Sequence, residues 1–168
     1  MFFLTKQSSN QPYLSLLVAL LLSMTTYTAT AQDLTVFASA GEVVHAHNNK
    51  QDFGKNHRRF RNGDLSFTEN GDTIGKYHSV STVLSVNKKT HKELRGYLVL
   101  IALPEGAFWE ESRVEMDHKS SPTAAHKRTG VILGGNKNFE GVSGSFEKEM
   151  LPDGKHYKTI YHLISAKP

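Results

Sequence analysis

Apolar and polar residues alternate at period two through most of the chain beyond residue 33, and no stretch there repeats at helical spacing. Leu34 to His47 reads as one strand, broken or bulged at Gly41. In Asp64 to Glu69, Leu65 and Phe67 share one face, and Asn70-Gly71-Asp72 supplies a hairpin turn. Ile74 to Val86 is long, β-branched and serine-rich, and Glu93 to Leu103 returns with a centre apolar on both faces. Both faces of that strand are therefore expected to be covered, one by the interior and the other by a second layer or another subunit. Phe108, Glu110, Ser112, Val114 and Met116 alternate against Trp109, Glu111, Arg113 and Glu115, with the first set predicted inward. His126 to Leu133, then Val142 to Met150, then His156 to Ile164 complete about eight strands at hairpin spacing. The pattern predicts an all-β domain, a small antiparallel barrel or sandwich, with polar loops at Asn48 to Gly63 and Asp117 to Ala125.

The glycines between the last predicted strands are the most distinctive local feature. Gly134, Gly135, Gly141 and Gly144 surround Phe139 at fixed offsets. A glycine-rich turn invites a nucleotide-binding reading, but neither the dinucleotide fingerprint nor the Gly-Lys-Ser/Thr ending of a phosphate loop is present. The stretch that follows alternates as a strand, so no helix N-terminus is available to hold a phosphate. A structural corner is the better reading, with Phe139 closing the end of the core.

Composition adds a compartment. Lys6 precedes an apolar run from Tyr13 to Leu22, and Ala29-Thr30-Ala31 offers small residues for cleavage, so residues 1–31 read as a secretory signal peptide. The apolar run is short of the ~20 residues that span a bilayer, and no membrane segment is expected after its removal. Residues 32–168 then form one domain, secreted or periplasmic. The chain has no cysteine, so burial and backbone pairing alone must hold it. Lys6 is the only charged residue in the first 31, which leaves 19 Lys and Arg against 16 Asp and Glu, a mild excess. The densest basic cluster, Lys55 to Arg61, lies in the polar stretch and reads as a solvated loop rather than a nucleic-acid stripe.

Several segments, in order, resemble the allene oxide cyclase and dirigent superfamily. Gly134, Gly135, Phe139, Gly141 and Gly144 match its glycine corner, and Asn62-Gly63-Asp64-Leu65-Ser66-Phe67 is similar to its Gly-Asp strand start. Ile74-Gly75 followed by Ser81-Thr82-Val83 resembles its Val-Gly and Cys-Thr-Val-Val segments, with serine in place of cysteine, and Leu103-Pro104-Glu105-Gly106 resembles the next turn. Lys137 and Asn138 depart from the usual corner. The resemblance implies an eight-stranded antiparallel, calycin-like barrel with an apolar interior, often trimeric, that needs no cofactor. Its enzymes cyclise or couple a hydrophobic small molecule with stereocontrol.

Candidate chemistry is sparse. Glu110 is the leading residue, because a carboxylate on an apolar face must be paired, protonated or catalytic. In a cyclase it would act as general acid or stabilise a developing cation. A face assignment displaced by one residue would instead expose Glu110 and bury Trp109. His78 and His162 are candidate proton shuttles, against the alternative of surface histidines. Tyr157 and Tyr161 offer hydroxyls or simple cross-strand packing. His45 and His47 share a strand face at a spacing that suits two metal ligands, with His57 as a third, but the pattern is too incomplete to predict a metal. No nucleophile elbow or paired catalytic carboxylates are visible. Two readings remain open: a cofactor-independent cyclase or isomerase binding a hydrophobic small molecule, and a non-catalytic carrier or oligomeric barrel.

Overall fold

A computed structural model of the chain describes residues 29–39, 41, 43–45, 56–117 and 127–165. The expected signal peptide before residue 29 and most of the Asp117 to Ala125 loop lie outside the described residues. Nine strands form one antiparallel sheet: β1 (Thr30–Ser39), β2 (Val43–His45), β3 (Arg58–Ser66), β4 (Gly75–Asn87), β5 (Lys92–Leu103), β6 (Gly106–Asp117), β7 (Lys127–Gly135), β8 (Ser143–Met150) and β9 (His156–Ser165). The strand order is β1-β9-β8-β7-β6-β5-β4-β3-β2, and β1 also pairs with β3 through Phe37↔Ser66 and Ala38↔Leu65. That pairing closes the sheet. β2 runs along β3 beyond the Gly41 break, with Val44 opposite Phe60, so β1 and β2 together occupy one position in an eight-stranded antiparallel barrel.

Side-chain parity builds the interior. On β6, Phe108, Glu110, Ser112 and Met116 are buried while Trp109, Arg113 and Glu115 are exposed. Phe146 and Met150 on β8, and Thr159, Tyr161 and Leu163 on β9, also point inward. The interior is divided along the barrel axis. One end is an apolar core that includes Val36, Leu65, Ile101, Phe108, Tyr161 and Leu163. Toward the other end the inward positions become polar: β5 reads Ile101, Val99, Tyr97, Arg95, Glu93 along a single face.

The glycine corner seals the apolar end. A 3-10 turn at Lys137–Phe139 sets the Phe139 ring 5.0 Å from Phe108, which meets Tyr161 edge-on at 4.9 Å. Gly144 has φ +142°, and a Cβ there would lie 2.0 Å from the carbonyl oxygen of His162 on the adjoining strand, so only glycine fits this approach. The β6–β7 register shifts between Trp109 and Glu110, where β7 reaches the corner.

One expectation changes. The polar segment at 48–63 is not a loop throughout, since β3 begins at Arg58, and the remainder up to residue 55 lies outside the described residues. Arg59 and Arg61 point to the interior, so cations occupy positions where an alternating strand would show apolar residues, and the period is hidden. Strand β1 begins with Thr30 opposite Ser165 and Ala31 opposite Ile164. Outside the barrel, Leu98, Trp109, Val131 and Leu133 on β5 to β7 are exposed apolar residues grouped around Trp109, with Glu111 between Leu98 and Val131. The double-sided apolar character of β5 thus has its inner face in the core and its outer face uncovered among the described residues.

Candidate functional site

Glu110 is the centre of a buried polar cluster built from four adjacent strands. It is 1% exposed and Trp109 is 42% exposed, which decides the face assignment in favour of an inward carboxylate. Lys148 Nζ on β8 donates to Glu110 Oε1 at 2.5 Å, Arg128 on β7 donates to the same oxygen at 3.4 Å, and the Tyr161 hydroxyl on β9 donates to Oε2 at 2.6 Å. Both carboxylate oxygens are engaged, as a buried charge requires. Burial is the largest influence on Lys148 and, with the repulsion of Arg128, outweighs the attraction of Glu110, bringing its pKa down to about 8. Burial, reinforced by the Glu110 carboxylate, pushes the Tyr161 hydroxyl well above the ordinary tyrosine range, so it remains a donor.

Lys148 and Arg128 face two ways, toward Glu110 and into a half-open cavity of about 90 Å³. Arg59, Arg61 and Arg95 complete its charged wall, and Tyr77, Tyr97 and Tyr157 supply its aromatic surface. The Arg128 guanidinium lies 4.2 Å from the centroid of the Tyr97 ring, a cation–π stack that fixes both groups. Arg95 is 2% exposed and forms an ion pair with the fully buried Glu93, NH2 to Oε1 at 2.5 Å. Arg61 reaches the Tyr157 hydroxyl at 3.5 Å. Tyr77 donates its hydroxyl to the Ser39 carbonyl at 2.9 Å and accepts from the Gly41 amide at 3.2 Å, which ties the cavity wall to the β1–β2 break.

No protein-family model and no curated protein sequence matches the chain. Solved structures do. A pyocyanin demethylase superposes with a TM-score of 0.60 at 16% identity, over 79% of this chain and 99% of its own. The Diels Alderase AbmU from Streptomyces koyangensis superposes with a TM-score of 0.58 at 14% identity, over 95% and 82%. A pterocarpan synthase dirigent protein superposes with a TM-score of 0.59 at 12% identity, over 86% and 90%. What the chain shares with these structures is the fold, an eight-stranded antiparallel barrel.

Within this barrel the other sequence candidates lie apart from the cavity. His78 is on the outer face of β4, with Nδ1 3.0 Å from Asn62 Oδ1. His162 is on the outer face of β9, with Nδ1 2.8 Å from Asp33 Oδ1. Strand parity explains both, since the inward positions beside them belong to Tyr77 and to Tyr161 and Leu163. Tyr161 joins the Glu110 cluster and Tyr157 lines the cavity. His45 lies in β2, His47 lies outside the described residues, and His57 is buried just before β3. Sequence reasoning missed Arg59, Arg61, Arg95, Arg128 and Lys148. A signal was present: Lys148 shares a face with Phe146 and Met150, and Arg95 shares one with Tyr97 and Val99.

Proposed function

We propose that this secreted or periplasmic barrel is a cofactor-independent cyclase or isomerase acting on a hydrophobic small molecule. The reading is carried by one observation: the buried Glu110 holds the Lys148 ammonium at the wall of an aromatic, half-open cavity, with Arg128 beside it. A cavity of ~150 Å³ is known to hold benzene. At about 90 Å³ this one takes the reacting end of a substrate, and the remaining body extends through the mouth.

In a ring closure or isomerisation of a carbonyl compound, electron density moves onto the carbonyl oxygen as the bonds reorganise. Two preorganised cations at that oxygen stabilise the developing charge more strongly than water does, because they need not reorient. Tyr97 and Tyr157 restrict the substrate to one approach, which is the source of stereocontrol. Glu110 is then a positioning residue. Its oxygens are occupied by Lys148, Arg128 and Tyr161, so it fixes the cations rather than touching the substrate.

Cyclisation and isomerisation leave mass unchanged, which gives a direct test. Extracts of small apolar metabolites incubated with the protein should contain a compound converted to an isomer of equal mass and different retention. The conversion should be lost in Lys148→Met. Absence of any equal-mass conversion, or equal turnover by that variant, would leave the non-catalytic carrier as the better reading. The exposed group of Leu98, Trp109, Val131 and Leu133 supports a homo-oligomer, which the family resemblance expects as a trimer.

A further inference from the structure

We infer that the cavity is an anion site whose ligand carries a carboxylate, held among Arg59, Arg61 and Arg95 with its aromatic or planar body against the tyrosines. This deepens the small-molecule reading above and rests on it. Five cations line the cavity, namely Arg59, Arg61, Arg95, Arg128 and Lys148. Among the described residues, Glu93 and Glu110 pair with members of this set at 2.5 to 3.4 Å. At the cavity wall cations outnumber these two carboxylates.

The geometry shows where the excess lies. Glu110 is consumed by Lys148, Arg128 and Tyr161, and Glu93 faces Arg95. Arg61 has the Tyr157 hydroxyl and no carboxylate as its partner among the described residues. Arg95 is buried, lines the cavity, and leaves its Nε without a hydrogen-bond partner. A buried guanidinium nitrogen without a partner is costly, and a ligand oxygen would supply one.

The cations also act on one another. Burial, then the nearby Arg95 and Arg61, lower the pKa of Arg59 despite the attraction of Glu93. Arg128 acts in the same sense on Lys148. Such repulsion is relieved by an anion arriving between them. A planar carboxylate matches the fork of a guanidinium, and a compact head group matches the volume. The Tyr77, Tyr97 and Tyr157 surface selects an attached ring or planar chain over a free inorganic ion. Arg59 and Arg61 belong to the basic segment that in sequence suggested a surface loop. Turned inward, they serve a small anion rather than a polyanion.

Benzoate and benzamide test the inference, being similar in shape and different in charge. Binding to the protein produced from the full chain is followed by amide chemical shifts at low ionic strength. Benzoate should bind at least about tenfold more tightly than benzamide, a difference of ~1.4 kcal/mol, with shifts centred on Ser79, Ser81 and Tyr97. Raising salt should weaken benzoate alone. Arg61→Gln, at a half-buried position that leaves the Glu93–Arg95 pair intact, should weaken benzoate about fivefold or more and leave benzamide unchanged. Equal affinities, or benzoate shifts confined to the outer face, would overturn the anion site while leaving the apolar-ligand reading standing. Failure of both compounds to perturb the cavity at tens of millimolar would overturn the two together.

Discussion

Lys148 and Glu110 meet at 2.5 Å although the whole of β7 lies between their strands. Both side chains point inward and together span the intervening strand, so the pair ties β6 to β8 as well as balancing charge. Replacing Glu110 by Gln keeps the volume but leaves Lys148 and Arg128 without their counter-charge. Breaking a buried pair from one side costs roughly 3–5 kcal/mol, and Glu110→Gln should lose on that order in urea denaturation. Lys148→Met combined with Glu110→Gln should lose less than the sum of the two single variants. Additive losses would mean that the pair is not energetically coupled.

The same lysine sets a pH dependence. Its folded pKa is lowered to about 8 by burial and by Arg128, against the opposing pull of Glu110, whereas in the unfolded chain it has the ordinary lysine value of 10.5. Between those values the unfolded state binds the additional proton, so stability should rise with pH. The cost of holding the ammonium is fully present below pH 8 and relieved toward 10.5, by an amount on the order of 3 kcal/mol. Tyr77 and Tyr161, both raised mainly by burial, act in the opposite sense once the pH passes their unfolded value of 10.0. Stability measured from pH 7.5 to 10 should therefore climb in the native sequence and flatten in Lys148→Met. Identical profiles would remove Lys148 as the titrating group.

Much of the barrel is legible in the sequence because period two is a strong signal wherever the interior is apolar. Val142 to Met150 and Tyr157 to Leu163 show it, and their inward sets are those observed. The cationic wall is hidden for the same physical reason. Arg59 and Arg61 occupy inward positions on β3, where a hydrophobic-in, polar-out rule reads them as solvent-facing loop. Glu110 stands out because a single acid interrupts an apolar face, but its partners come from β7, β8 and β9. A one-dimensional pattern cannot say which cation from another strand meets it. His78 and His162 illustrate the converse, since residue chemistry nominates them and parity puts them outside.

The glycine corner makes two separable contributions. At Gly144 an added Cβ meets the His162 carbonyl oxygen at 2.0 Å and φ is +142°, so Gly144→Ala must move the β8–β9 ladder. At Gly141 φ is +71° and nothing lies within 4 Å of the added atom. The second substitution pays only the left-handed backbone penalty of about 1–2 kcal/mol. Gly144→Ala should therefore cost at least about twice as much as Gly141→Ala in thermal or urea unfolding, or prevent folding. Equal costs would show that backbone conformation alone, and not the close strand approach, explains the corner.

The outer apolar group gives a prediction about assembly. Trp109 is 42% exposed and Leu133 54% exposed, on neighbouring strands and beside Leu98 and Val131, while other outward positions on β6 carry Glu111, Arg113 and Glu115. Grouped apolar surface on a strand face is a normal site for self-association, and a stable interface buries ~800 Å² per partner. Light scattering behind size exclusion should give an oligomer for the native sequence at micromolar concentration. Leu133→Glu should convert it to monomer by placing a charge in the interface, with the far-ultraviolet spectrum unchanged because the side chain leaves no core contact behind. A native monomer at ~100 µM, well above the dissociation constants of stable assemblies, would assign the group to some other partner. An oligomer indifferent to Leu133→Glu would place the interface on a different face of the barrel.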